Sequence, residues 1–234
     1  MDSQLIVRAV GWYAAFLISV TLHEASHALA ALKLGDSTAY RGGQVTINPA
    51  PHMRREPLGM CVVPLLSFFL GGWMLGWGTA PYDRNWALEN PRKCCWMALA
   101  GPAANLFLLV LSGIAIRVGL AWGVFTAPES ITFTRVVMAV DNGYLAGAAG
   151  LVSIMFSLNL LLFFFNLLPV PPLDGSSLPL MVLGRTDARR YMDIMHNQFA
   201  VVGIVVAWYV FSLISRPILV LGLNVLYFGV AAYH

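Results

Sequence analysis

Long apolar runs separated by short polar stretches set the pattern of this chain. The first run extends from about Leu5 to Leu32 and stops at Gly35-Asp36. The second, Leu58 to Gly78, is broken by Pro64 and by Gly71, Gly72 and Gly76. Cys94 to Trp122 and Tyr144 to Leu168 are clean runs, and Phe199 to Tyr233 is apolar apart from Arg216-Pro217. About 20 apolar residues suffice for a helix to cross a bilayer. The first, third and fourth runs therefore predict spanning helices. The last predicts either one span plus an interfacial helix or two short spans. Asp36 to Glu56 is polar and turn-rich, and Arg41-Gly42-Gly43-Gln44 before Val45-Thr46-Ile47 reads as a short hairpin. Ser176 to Asn197 reads as an amphipathic connector. The pattern predicts an all-α membrane protein, a polytopic helical bundle of four to six apolar segments with a small membrane-associated β-hairpin.

Composition agrees with the pattern. The 234 residues are 59% hydrophobic and 11% charged, and the mean hydropathy is +0.73. A soluble domain carries about 25% charged residues, so a soluble enzyme is excluded. The net charge of +3 reads as topology and not as nucleic-acid binding. If the broken run enters and leaves on one side, Lys33, Arg41, Arg54, Arg55, Arg84, Arg92, Lys93, Arg185, Arg189 and Arg190 share that side. The opposite loop keeps Arg135, offset by Glu129 and Asp141, with Arg117 at its edge. Positive loops mark the cytoplasm, so a re-entrant Leu58–Gly78 is favoured over a full span. Cys61, Cys94 and Cys95 have no metal-ligand spacing and read as small hydrophobes in a reduced setting. The N-terminus lacks the pattern of a cleavable signal peptide.

Within this apolar background few ionisable groups are embedded: His23, Glu24, His27 and Asp174. Such groups are costly at membrane depth and point to function. His23-Glu24-Ala25-Ser26-His27 lies in the C-terminal half of the first span. On a helix, residues i and i+4 share a face, so His23 and His27 can hold one zinc ion, with Glu24 as general base. Hydrolytic zinc sites commonly use three protein ligands. Asp174 is the best third, since it is the other carboxylate against a span end. The prolines before it break the helix, and such unwinding at depth is tolerated where it lines a cavity. Asp174 can also cap the segment that follows. Asn105 and Asn166, at two further span ends, are candidates for substrate binding or oxyanion stabilisation. Both can equally serve helix packing.

HEASH in the first span, Gly101-Pro102-Ala103-Ala104-Asn105 in a later one and Asn166 to Gly175 ending another resemble the site-2 protease family of intramembrane zinc metalloproteases. The motifs occur in the family's order over roughly residues 10 to 185. The resemblance is to a minimal form, without room for a PDZ or nucleotide-sensing domain. It implies one Zn2+ per chain on His23, His27 and Asp174, Glu24 as catalyst, and an unwound substrate handled by Asn105 and the 166–172 stretch. It further implies a three-helix catalytic core and, as substrate, a single-span membrane protein cut within or near its transmembrane segment. The expected setting is the cell membrane of a prokaryote, multi-pass, with the active site nearer the cytoplasmic face. The whole chain, 1–234, reads as one membrane protease domain with a C-terminal apolar segment at 199–233. The alternative is a non-proteolytic zinc-binding membrane scaffold or transporter. A transporter needs a polar path across the spans, and the far halves of these spans carry almost none.

Overall fold

The structure is a computed structural model that describes residues 3–141, 143–198 and 200–229. Helix α1 (Ser3–Leu34) has 32 residues, about 48 Å at 1.5 Å per residue. It ends where Gly35 adopts φ +110° and the Asp36 N–H donates to Ala31 O at 2.8 Å. Short helices α2 (Thr38–Arg41) and α3 (Pro49–Arg55) follow. Asn48 caps α3 by accepting from Ala50 N–H, and Pro49 supplies the fixed φ of a first helical turn. The hairpin expected over 41–47 is absent. Arg41 closes α2, and Gln44 turns its side chain inward to donate to Thr79 O.

Helix α4 (Leu58–Gly71) opens with a π-helical turn and stops at Gly72, which has φ +77°. The chain then runs back without regular structure. Trp77 N–H donates to Gly59 O, and Leu75 N–H donates to Ser67 Oγ. The segment thus folds back on itself, with Trp77 beside Gly59. Asp83 closes the excursion. Its N–H donates to Asp36 Oδ2, and its own carboxylate caps α5 (Arg84–Glu89) by accepting from Asn85 and Trp86 N–H.

Helix α6 (Pro91–Ala121) lies antiparallel to α1, with Lys93 Nζ donating to Leu34 O. Beyond it, β1 (Phe125–Thr126) and β2 (Met138–Ala139) pair antiparallel, Phe125 opposite Ala139. This two-stranded hairpin sits at the far end of the bundle from the motif-bearing helix ends. Helix α7 (Tyr144–Asn166) returns, a 3-10 segment (Asp174–Met181) and α8 (Arg185–Gln198) follow, and α9 (Ala200–Leu226) completes the fold. Helix α9 is continuous through Pro217, so within it the last apolar run crosses once. Residues 199 and 230–233 of that run lie outside the described residues.

Four of these helices, α1, α6, α7 and α9, are long and apolar enough to cross a membrane. The protein is a multi-pass helical membrane protein. One apolar cluster joins Trp12, Phe16 and Val20 of α1 to Met60, Phe68 and Met74 and to Ile154 and Leu158 of α7. A second joins α6, the loop before β2, α7 and α9 through Ile116, Val136, Phe156, Leu160 and Leu223. Between them α1, α6 and α7 pack closely. The α1–α6 seam is built from small buried residues, among them Ala28 and Ala31 on one side and Ala98, Gly101 and Ala104 on the other. Small residues let membrane helices approach where lipid offers no hydrophobic drive to associate.

Candidate metal centre

His23 and His27 project from one face of α1 toward α6, both buried. Their Nε2 atoms stand 3.0 Å apart. Asp174 Oδ2 lies 3.1 Å from His23 Nε2, and Oδ1 lies 3.4 Å from His27 Nε2. Among the described residues this is the one grouping of three metal-ligating side chains. Tetrahedral zinc with bonds of 2.0–2.1 Å holds its ligand atoms about 3.3 Å apart. The separations seen here suit that ion.

The hydrogen bonds around the two imidazoles decide what these atoms can do. His27 Nδ1 is 2.8 Å from Met97 O. A carbonyl only accepts, so Nδ1 carries the proton and Nε2 presents a lone pair. His23 Nδ1 is 2.6 Å from Asn105 Oδ1, which gives His23 the same tautomer. In the neutral imidazoles that bind a metal, two lone pairs and a carboxylate then face one another. Asp174 Oδ2 is buried and has no hydrogen-bond partner. Three acceptors converging without a donor repel unless a cation lies among them. The donor set, two neutral imidazoles and a carboxylate, fits zinc.

The local sequence explains how these groups reach one another. Gly101 of α6 sits directly over the two histidines. A Cβ there would lie 2.5 Å from His23 Nε2 and would overlap His27 Nε2. Pro102 interrupts the α6 ladder in the same turn, since proline has no N–H and crowds the carbonyl four residues back. Asp174 arrives from beyond α7. The turn 167–173 folds under the helix end through Val170 N–H to Leu168 O and Leu173 N–H to Val170 O. A Cβ at Gly175 would run into the Leu167 and Leu168 carbonyls, so glycine lets Asp174 tuck back toward α1. Tyr191 Oη of α8 donates to Ser176 O at 2.6 Å and latches the same segment.

Glu24 is buried beside the histidines, and its carboxylate makes no hydrogen bond with another described residue. The returning chain passes over it. A Cβ at Gly78 would lie 2.6 Å from Glu24 Cγ and 3.0 Å from Oε1. That strap is held on both sides of Gly78. Trp77 is bonded to Gly59, and Thr79 O accepts from Gln44 Nε2. Thr79 Oγ1 donates to Glu56 Oε1 at 2.6 Å.

The two asparagines are placed differently. Asn105 is fully buried, with Oδ1 accepting from His23 and Nδ2 donating to Asn159 Oδ1 at 2.9 Å. Its amide is engaged inside the protein at both ends. Asn166 ends α7 half-buried and donates to Leu162 O of its own helix. Asn159 and Ser19, which the sequence motifs do not include, continue the hydrogen-bonded line. Their signal was present in the sequence, as an amide and a hydroxyl inside apolar runs. Gly78 lies outside those motifs too, and its place is set by tertiary contact.

The match to peptidase family M50 runs over residues 12–210. The chain belongs to that family. The M50 match takes in α1, α6, α7 and the Asp174 turn together. Among curated relatives, "Putative zinc metalloprotease YwhC" of Bacillus subtilis (strain 168) is 33% identical over 161 residues, 68% of this chain and 63% of that protein. "Putative zinc metalloprotease Rip2" of Mycobacterium tuberculosis is 31% identical over 162 residues, 69% of this chain and 53% of that one. Rip2 of Mycolicibacterium smegmatis is 29% identical over 170 residues, 73% of this chain and 54% of its own length. The chain thus spans between half and two thirds of these relatives. No solved structure matches.

Proposed function

We propose that this protein is a zinc metalloendopeptidase of the site-2 type. It binds one Zn2+ per chain and cuts peptide bonds within or near a transmembrane segment of single-span membrane proteins. It works in the cell membrane of a prokaryote, with the site opening toward the cytoplasmic face. The observation that carries the reading is the convergence of His23 Nε2 and His27 Nε2, on the long apolar helix α1, with Asp174 from the segment after α7, with Glu24 alongside. Membership of family M50 and the relatives' names support the same chemistry.

Zinc bound there would polarise a carbonyl and ease deprotonation of water. The protein's own groups do the rest. His23 and His27 hold their lone pairs in place through Asn105 and Met97. Glu24 accepts a proton from the attacking water and returns it to the departing amine. The strap at Gly78 covers Glu24 and limits bulk water. A substrate helix must unwind, because its own ladder otherwise shields the scissile carbonyl. Asn166, at the end of α7, offers the unwound strand a polar contact. Asn105 is assigned to holding His23 and not to substrate.

The test is co-reconstitution of tagged single-span proteins with wild type or Glu24→Gln, zinc content being measured in both. Cuts inside the apolar segment that depend on Glu24, at equal zinc, are expected. Normal turnover by Glu24→Gln would overturn the mechanism. A zinc-loaded wild type that cuts none of the panel would favour the scaffold reading.

A further inference from the structure

A line of buried polar groups crosses three helices: Ser19 on α1, Asn159 on α7, Asn105 on α6 and His23 back on α1. All four are buried, Asn105, Asn159 and Ser19 completely. Polar groups at such depth serve a purpose by default. The donors and acceptors along this line run in one direction. Asn159 Nδ2 lies 2.8 Å from Met155 O and 2.9 Å from Ser19 Oγ. Met155 O is a backbone carbonyl and can only accept, so the amide of Asn159 must present nitrogen there. Its Oδ1 therefore faces Asn105. Asn105 must then donate with Nδ2, which turns its own Oδ1 toward His23 Nδ1. His23 must donate from Nδ1, and its Nε2 is left as a lone pair aimed at Asp174.

From this order we infer that Asn159 is a positioning residue that fixes the tautomer of His23 from a backbone carbonyl two helices away. The inference rests on the metal-centre reading above. Without Asn159 the Asn105 amide has no fixed sense. Rotated by half a turn, it would donate to His23 Nδ1 and move the imidazole proton to Nε2, where it blocks coordination. His27 needs no such relay, because Met97 O acts on it directly. The two ligands thus share one tautomer reached by different routes, and only His23 depends on Asn159. Outer hydrogen bonds of this kind govern a metal-bound histidine's tautomer and orientation, and their loss commonly weakens metal binding by about 10- to 100-fold.

The experiment is 15N NMR of histidine-labelled, zinc-free full-length protein in detergent micelles, with zinc affinity measured by chelator competition. Signals are assigned through His23→Gln and His27→Gln. Wild type is expected to show both ligand histidines protonated at Nδ1. In Asn159→Leu, His23 is expected to become a mixture of tautomers while His27 is unchanged, with zinc bound about 10- to 100-fold more weakly. A merely structural lesion would disturb both histidines. Asn159→Asp keeps an oxygen toward Asn105 and is expected to restore the wild-type His23 signal. If Asn159→Leu does not accumulate folded, Asn159→Ser, too short to reach Asn105, takes its place. A His23 signal that stays protonated only at Nδ1 in Asn159→Leu or its Asn159→Ser substitute overturns the inference, as does zinc affinity of that variant within twofold of wild type. If wild type binds no zinc and Asn159→Leu still changes the His23 tautomer, the metal reading falls and the relay stands.

Discussion

Gly101→Ala is the sharpest test of the packing over the metal centre. A methyl at that position would stand 2.5 Å from His23 Nε2 and from His27 Cε1, where ordinary contact begins at 3.4 Å. One partner must yield by about 0.9 Å, several times the ~0.2 Å within which metal–ligand distances are held. The helix itself gains, because alanine is favoured over glycine by about 1 kcal/mol in a helix interior. Overpacking works against that gain by about 1–3 kcal/mol. Net stability should therefore fall by no more than ~2 kcal/mol. Zinc affinity should fall by more than about 100-fold, beyond the usual effect of losing an outer hydrogen bond. Gly113→Ala on the same helix is the control. Its Cβ would meet Leu226 and Phe156 side chains at an ordinary 3.7 Å, so it should leave zinc binding alone. The assay is zinc competition with a chromophoric chelator, beside thermal unfolding in detergent. Zinc bound by Gly101→Ala within threefold of wild type would refute the reasoning.

Three further outcomes are expected. Gly78→Ala should push against Glu24 and not against the ligands, so zinc content holds while the cleavage rate drops by at least tenfold, read as kcat in proteoliposomes. Chelation of the metal should lower the unfolding temperature of wild type and leave that of His27→Ala unmoved, because only the intact trio of acceptors gains from a cation. Asp36 gives a pH effect. Burial raises its carboxyl, but Thr38 O–H and N–H, Asp83 N–H and the charge of Arg41 outweigh this and hold it below the usual carboxylate value. A lowered folded value means stability that is present above about pH 3.9, the unfolded value, and lost as pH falls through the folded one. Proteolytic cutting in the 79–90 stretch should rise as pH falls through that window in wild type, and should not change over it in Asp36→Asn.

Much of the architecture was readable because hydrophobic length decides it. The three clean runs became α1, α6 and α7 with ends within a few residues of those expected. The hairpin was misplaced for a local reason. Arg41-Gly42-Gly43-Gln44 has turn chemistry, but Gln44 is drawn inward to Thr79 O, a contact 35 residues away that no local pattern carries. The strands formed instead at 125–126 and 138–139, where Ser153 Oγ of α7 accepts from Val136 and Val137 N–H beside β2. At the site, spacing alone placed His23 and His27 on one face, and the proline-rich break marked Asp174. Asn105 was visible as a polar group in an apolar run. Its direction was not, because that depends on Asn159 and on which end of an amide meets a carbonyl.

Charge and donor type together restrict the ion the centre can hold. As metal ligands the two imidazoles would be neutral, and Asp174 and Glu24 are the two acidic side chains beside them. A divalent cation balances them within the buried site, while a monovalent one leaves an uncompensated charge where water is scarce. Magnesium is also divalent, but it favours oxygen donors, near-ideal octahedral geometry and retained waters. Here two of the three donors are nitrogen, and Gly101 closes over them. Zinc and cobalt accept nitrogen donors and few ligands. Apoprotein dialysed against Co2+ should therefore acquire a tetrahedral visible spectrum and regain Glu24-dependent cleavage, whereas millimolar Mg2+ should restore no cleavage. Restoration by Mg2+ would mean that oxygen donors absent from this arrangement form the site, and the assignment of His23 and His27 as ligands would fall with it.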